Sequence, residues 1–219
     1  VPGKNGKDLL GRPLLAWTAD SARRAELLDD VVLSTDDDEL AALGASLGLE
    51  VPFLRPPELA ADDTPMLAVV QHAAATLAQA GRAFDAVCLL QPTSPARPEG
   101  LVDRCVVRLA ADGSPCDSVV TMVPVAPEHH PDWAWVDGPE GGVVLATGGV
   151  EPVPRRQALR PAYRRDGSVY VVRTAVLAAG SLYGPRVASV LTDPALAVSI
   201  DEPGDWPRAE AALRLLAGP

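Results

Sequence analysis

This chain has no CxxC pair, no apolar run of membrane length, no internal repeat and no excess of positive charge. Each absence excludes something. Its three cysteines, Cys88, Cys105 and Cys116, are odd in number and widely spaced, which argues against a zinc site and against a disulfide framework. Reduced thiols and a cytoplasmic location are the simplest expectation. No apolar stretch approaches the roughly 18 residues of a membrane span, so no membrane association is expected. Lys plus Arg number 19 against 29 Asp plus Glu, a formal net charge of -10. Such a balance excludes wrapping of nucleic acid, which rests on many basic side chains against phosphates. A few local basic groups can still hold one nucleotide. What remains is 219 residues, 47% of them hydrophobic, enough for one substantial core and a single domain over 1–219.

Strand-like and helix-like segments alternate along the first half. Helices are expected over 14–28, opened by Pro13, and over 38–47, 65–80 and 99–111. Strands are expected over 31–35, 50–54, 86–91 and 118–123. Such alternation predicts an α/β fold, doubly wound, with a mostly parallel sheet covered on both faces. The pattern breaks over 124–165, rich in Pro and Gly and holding His129, His130, Trp133 and Trp135. A stretch so long inside a domain is functional or packs against something. Short strands are expected there at 133–136 and 143–145. Strands resume at 168–172, 187–191 and 197–200, and an amphipathic helix closes the chain at 206–216. No strand precedes the first helix, so a first strand is expected upstream of Val1.

The chemistry-bearing residues sit where strands end. The apolar run from Val87 to Leu90 stops at Gln91-Pro92-Thr93-Ser94-Pro95-Ala96-Arg97. A buried strand thus delivers polar groups to its carboxyl end, where open α/β sheets bind ligands. Lys4 and Asn5, between glycines, suit a phosphate and a base edge; a solvated terminal lysine is the plainer alternative. In Thr35-Asp36-Asp37-Asp38 the plain reading is a helix cap. Arg55 suits phosphate or ribose oxygens, or a surface pair with Glu58. Thr64 before Pro65 suits an N-cap that also faces a ligand. Arg155-Arg156-Gln157 and Tyr163-Arg164-Arg165 are basic clusters in an acidic chain, and Arg grips carboxylate or phosphate in a bidentate way. Asp201, in Ser199-Ile200-Asp201-Glu202, is placed for Mg²⁺, with a cap of the last helix as its alternative. The adjacent His129 and His130 suit a polar loop better than a shared metal.

In order and spacing these segments resemble the acylneuraminate cytidylyltransferases over almost the whole chain. The blocks are "PGKN", "STDD", "VPFLRPPELA", "DDTP", "LLQPTSP", "EHHP", "RRQ", "YRRDGSVYV" and "SIDEPGDW". The resemblance implies a nucleotide-diphospho-sugar transferase-like fold with a dimerisation extension over 124–165, and a homodimer. It implies a reaction in which the anomeric hydroxyl of a nonulosonic, sialic-type acid attacks the α-phosphate of CTP and pyrophosphate leaves. It implies that Lys4 and Asn5 contact the nucleotide and that Arg55 and Thr64 lie near the cytidine. By the same resemblance Gln91, Arg156, Gln157, Asp166 and Tyr170 are expected to meet the sugar acid, with Arg156 on its carboxylate, and Asp201 to hold Mg²⁺ and form the catalytic pair with Lys4. The resemblance also implies a glycine-rich loop upstream of Val1. Ser199 stands where the family has a carboxylate, and Asp166 where it more often has Asn. Ser199 leaves other readings open: an octulosonic acid, a legionaminic or pseudaminic acid or a phosphonate as acceptor, or a non-catalytic homologue.

Overall fold

The computed structural model describes residues 1, 3–61, 63–111 and 115–218; Pro2 and Asp62 of the segments above lie outside this set. After a 3-10 turn at Lys4–Gly6 come two short strands, β1 (Asp8–Leu9) and β2 (Arg12–Pro13). Helix α1 (Leu14–Arg23) ends earlier than its apolar pattern suggests. The chain turns away because the Asp103 carboxylate of a later helix accepts the backbone N–H groups of Glu26 and Leu27 at 3.2 and 3.0 Å. Segments 31–35 and 50–54 pair only through isolated parallel bridges, Val32 with Glu50 and Thr35 with Leu54.

Helices α2 (Asp38–Ser46) and α3 (Met66–Gln79) follow, then β3 (Ala86–Leu89), α4 (Leu101–Ala110) and β4 (Ser118–Pro124). Within the extension, β5 (Trp135–Asp137) and β6 (Val143–Leu145) form an antiparallel hairpin, close to expectation. Strand β7 (Tyr163–Arg173) brings the chain back. Helix α5 (Thr174–Ala178), β8 (Val187–Leu191) and α6 (Trp206–Ala217) complete it. No strand forms over 197–200.

The main sheet has the order β3-β7-β4-β8 and is mixed, which corrects the expectation of a mostly parallel sheet. Strand β7 runs antiparallel to both β3 and β4, while β4 and β8 are parallel. The reason is the connection. Parallel neighbours need a crossover, usually a helix. β7 is reached from β4 through the extension instead, and so returns beside it reversed. The carboxyl ends of β3, β4 and β8 therefore share one edge with the amino end of β7.

Alternation along β7 splits the core. Val169 and Val171 pack with Val119, Leu101 and Cys105 on the α4 face. Val172 packs with Val70, Leu177 and Val87 on the α3 and α5 face. This period of two is what a sheet covered on both sides requires. A third cluster joins Leu9, Leu14, Ala96, Ile200 and Leu213, fastening the last helix beneath the ligand edge. Burial pushes the Cys88 and Cys105 thiols up to about 12, so neither is a nucleophilic thiolate near neutrality.

Candidate active site

The edge is built around the Ile200 peptide. Its N–H donates to the Thr93 carbonyl at 2.8 Å, and its carbonyl accepts from Lys4 Nζ at 2.8 Å. Lys4 Nζ also lies 3.6 Å from Asp201 Oδ1. Three distant stretches of chain thus meet at one peptide: the first turn, the loop after β3 and the segment before α6.

Asp201 is not the helix cap. Glu202 takes that place, in a reciprocal capping box with Asp205. Asp205 Oδ2 accepts the backbone N–H groups of Asp201 and Glu202, both at 3.0 Å, and these bonds hold its carboxyl below the usual range. The Asp201 side chain stays 74% exposed, its backbone fixed on both sides. Asp205 was not singled out from the sequence. The E-P-G-D spacing was the available signal.

On the other flank, Asp37 caps α2, accepting from the N–H groups of Glu39 and Leu40 at 2.8 and 3.0 Å. Arg55 pairs with Asp36 rather than Glu58 and holds the Asp36 carboxyl below its ordinary range. Arg55 Nε, Asn5 Oδ1 and Ser34 Oγ are buried without a hydrogen-bond partner. Buried polar atoms in folded proteins are nearly always paired. Thr64 does not cap α3: the helix starts at Met66, Pro65 takes the cap position, and no side chain caps it.

Gln91 lies just past β3. Its carbonyl accepts from Arg97 Nη2 at 2.6 Å. Asp166 is turned inward. It is 6% exposed, with Oδ1 accepting from Thr121 Oγ1 and from the Ser168 N–H, and Oδ2 from Thr192 Oγ1. Here the sheet register breaks: residues 166–169 of β7 bulge opposite Thr121. At the tip Gly167 has φ +86, and a Cβ there would sit 2.6 Å from Ser94 Oγ. Ser94 Oγ is itself buried and unpartnered. Tyr170 stands in mid-strand opposite Leu89 and Val120, edge-on to Tyr183 at 6.4 Å, and burial raises its phenol. The residue is 5% exposed.

Arg156 and Gln157 lie on an exposed 3-10 turn of the extension. Arg156 lines a groove of about 270 Å³ with Pro124, His130, Tyr163 and Leu191, beside the carboxyl ends of β4 and β8. No hydrogen bond among the described residues ties Arg156 or Gln157 to the Lys4–Asp201 cluster. His130 is structural: its Nε2 meets the Arg160 carbonyl at 2.8 Å and its Nδ1 accepts the Asp132 N–H at 3.1 Å.

A lysine, an exposed carboxylate and unpaired polar atoms thus lie at the edge of a mixed α/β sheet. Solved structures share this fold. A CMP:2-keto-3-deoxy-manno-octonic acid synthetase complexed with CTP superposes at TM-score 0.68 and 15% identity, over 99% of this chain and 92% of that one. A 4-diphosphocytidyl-2C-methyl-D-erythritol synthase superposes at TM-score 0.64 and 15% identity, over 97% and 94% of the two chains. The family model described as cytidylyltransferase matches residues 1–178, and the chain belongs to that family of enzymes.

Among curated relatives, a CMP-N,N'-diacetyllegionaminic acid synthase of Legionella pneumophila is 29% identical over 217 residues, 98% of this chain and 91% of the relative. N-acylneuraminate cytidylyltransferase A of Danio rerio is 28% identical over 217 residues, 96% of this chain and 47% of the relative. A pseudaminic acid cytidylyltransferase of Campylobacter jejuni is 37% identical over 95 residues, 43% of this chain and 41% of the relative. The match thus spans nearly all of the Legionella protein and under half of the other two.

Proposed function

We propose that the protein transfers CMP from CTP to the anomeric hydroxyl of a nonulosonic acid of the sialic type. The observation that carries this is the convergence of Lys4, Thr93 and Asp201 on the Ile200 peptide. Triphosphate and acceptor chemistry then share one edge. Asn5, Ser34 and Arg55 hold unpaired polar atoms for the nucleotide, and Thr64 flanks the cytidine side. The acceptor hydroxyl releases its proton to solvent, its oxygen forms a bond to the α-phosphorus, the bond to the β-phosphate breaks, and pyrophosphate leaves. Lys4 holds the triphosphate by charge. Gln91, Tyr170 and the extension's Arg156 and Gln157 orient the sugar acid, Arg156 on its carboxylate. The chain's share is positioning and electrostatics. Asp166 contributes from behind, by shaping the bulge rather than by touching sugar.

Mg²⁺ fits a limited donor set. Among the described residues no three His, Cys, Asp or Glu side chains converge. Asp201 supplies one carboxylate, Ser199 at most a hydroxyl, and phosphates and water the rest, as Mg²⁺ prefers. When bound, the ion would offset charge on phosphate oxygens. A homodimer is part of this reading. The β5–β6 hairpin exposes Trp135 and Val143 on one face and Val136 and Val144 on the other, apolar surface suited to a second copy.

Screening acids with CTP tests the substrate class. Pyrophosphate release is expected with a sialic-type acid; release with none of the nonulosonic acids would overturn the reading. A second reading, a legionaminic-type acceptor, is favoured by the near full-length match to the Legionella enzyme, and the same panel separates the two. Arg156→Ala is expected to raise the acceptor KM by roughly tenfold, leaving the CTP KM unchanged, because its bond is to the acceptor alone. Steady-state kinetics with each substrate varied in turn reads this out. A change confined to CTP would remove Arg156 from the sugar side.

A further inference from the structure

Arg97 is a buried cation that the proposed chemistry leaves unused. It is 6% exposed, and among the described residues no carboxylate lies within ion-pair distance of it. Its guanidinium instead spends its donors on three separate parts of the fold. Nε donates to the Ser168 carbonyl at 2.7 Å, on the β7 bulge. Nη1 donates to Thr18 Oγ1 at 2.8 Å, on α1. Nη2 donates to the Gln91 carbonyl at 2.6 Å, at the start of the loop after β3. Burial pulls this guanidinium down to about 10, so it stays charged near neutrality. A long basic side chain is costly to bury. The three bonds leave from three different nitrogens of a planar fork, a spread that a lysine ammonium, with all three donors on one nitrogen, does not reproduce.

The loop it holds is the one that matters. Ser94 N–H bonds back to the Gln91 carbonyl at 3.1 Å, closing a turn over Gln91–Ser94. Within that turn Thr93 accepts the Ile200 N–H at 2.8 Å. Arg97 therefore grips one end of a turn whose other contact places the segment carrying Asp201.

We propose that Arg97 is a positioning residue, which locks the Gln91–Ser94 turn against α1 and the β7 bulge and so sets the acceptor side of the active site. The proposal rests on the reading that Gln91 meets the acceptor.

The test uses three variants of the whole chain. Arg97→Lys keeps the charge but not the fork. Thr18→Val is isosteric and removes only the Nη1 bond, and it carries the test if Arg97→Lys fails to fold. Gln91→Ala removes the acceptor contact itself. Arg97→Lys is expected to cut kcat/KM for the acceptor roughly 10- to 100-fold, the scale of a sub-ångström to ångström misplacement, with the CTP KM within about twofold of wild type. Thr18→Val is expected to move the same parameter in the same direction by less. Equal rises in the KM for CTP and for the acceptor, or no loss in either variant, would overturn the positioning role. If Gln91→Ala leaves the acceptor KM unchanged, the reading of Gln91 fails instead. If Gln91→Ala raises it while the other two variants do not, only the role of Arg97 fails.

Discussion

Asp201→Ala is expected to lower turnover by at least about 10²–10³-fold, the scale seen when one preorganised charge is removed from an active site. Fold and stability should barely change. The side chain is 74% exposed, it caps no helix, and its nearest cation is Lys4 at 3.6 Å. An ion pair of that exposure contributes little to stability. Its backbone is held independently by Asp205 and, through the preceding peptide, by Thr93 and Lys4. Pyrophosphate release measured beside a thermal melt separates the two effects. Turnover close to wild type would remove Asp201 from the chemistry. A large fall in melting temperature would make it a structural residue instead.

Gly167→Ala should act in the opposite way, on stability first. The residue sits at φ +86, where an L side chain costs about 1–2 kcal/mol. The added Cβ would also stand 2.6 Å from Ser94 Oγ, and overpacking in a buried site costs about 1–3 kcal/mol. Together a loss of about 2–5 kcal/mol is expected, or about 4–20 °C in melting temperature for a domain of this length. Ser94→Ala in the same background should return the steric part and leave the backbone part, a coupling that a double-mutant cycle reads directly. An unchanged melting temperature in the single variant would show that the bulge yields without cost.

Much of this fold was legible in the sequence. The Val187–Leu191 strand and the 143–145 strand lie where alternation put them, and Asp37 capping α2 follows from an acid run at a helix entry. The direction of β7 was not legible, because alternation of strands and helices carries no sign. Only the absence of a helix between β4 and β7 reverses the strand, and that is a property of the connection. α1 ran short for a similar reason: Asp103, far along the chain, takes the N–H groups that would have continued the turn. Of the groups proposed for the site, Asp201 could be picked out by residue type where a strand was expected to end, and Lys4 by its place between glycines. Thr121 and Thr192 could not, since their work is to hold Asp166, distant in sequence; Asp205 holds near neighbours, and only its E-P-G-D spacing signals it. Asp166 shows the limit most plainly. A carboxylate in a polar motif reads as a ligand group, yet three neighbouring donors consume it.

The extension has a boundary of unusual kind. Pro124 and Tyr163 are paired across the sheet, and the Val125 N–H bonds to the Ala162 carbonyl at 2.9 Å, so both ends of the excursion leave from one rung of the β4–β7 ladder. A hairpin loop of a few residues spans such a rung. Geometrically the whole segment is a cassette: it can be shortened, lengthened or exchanged for that of a relative without asking the sheet to move. Acceptor preference and self-association, as far as they reside there, are then open to change independently of the nucleotide half of the enzyme.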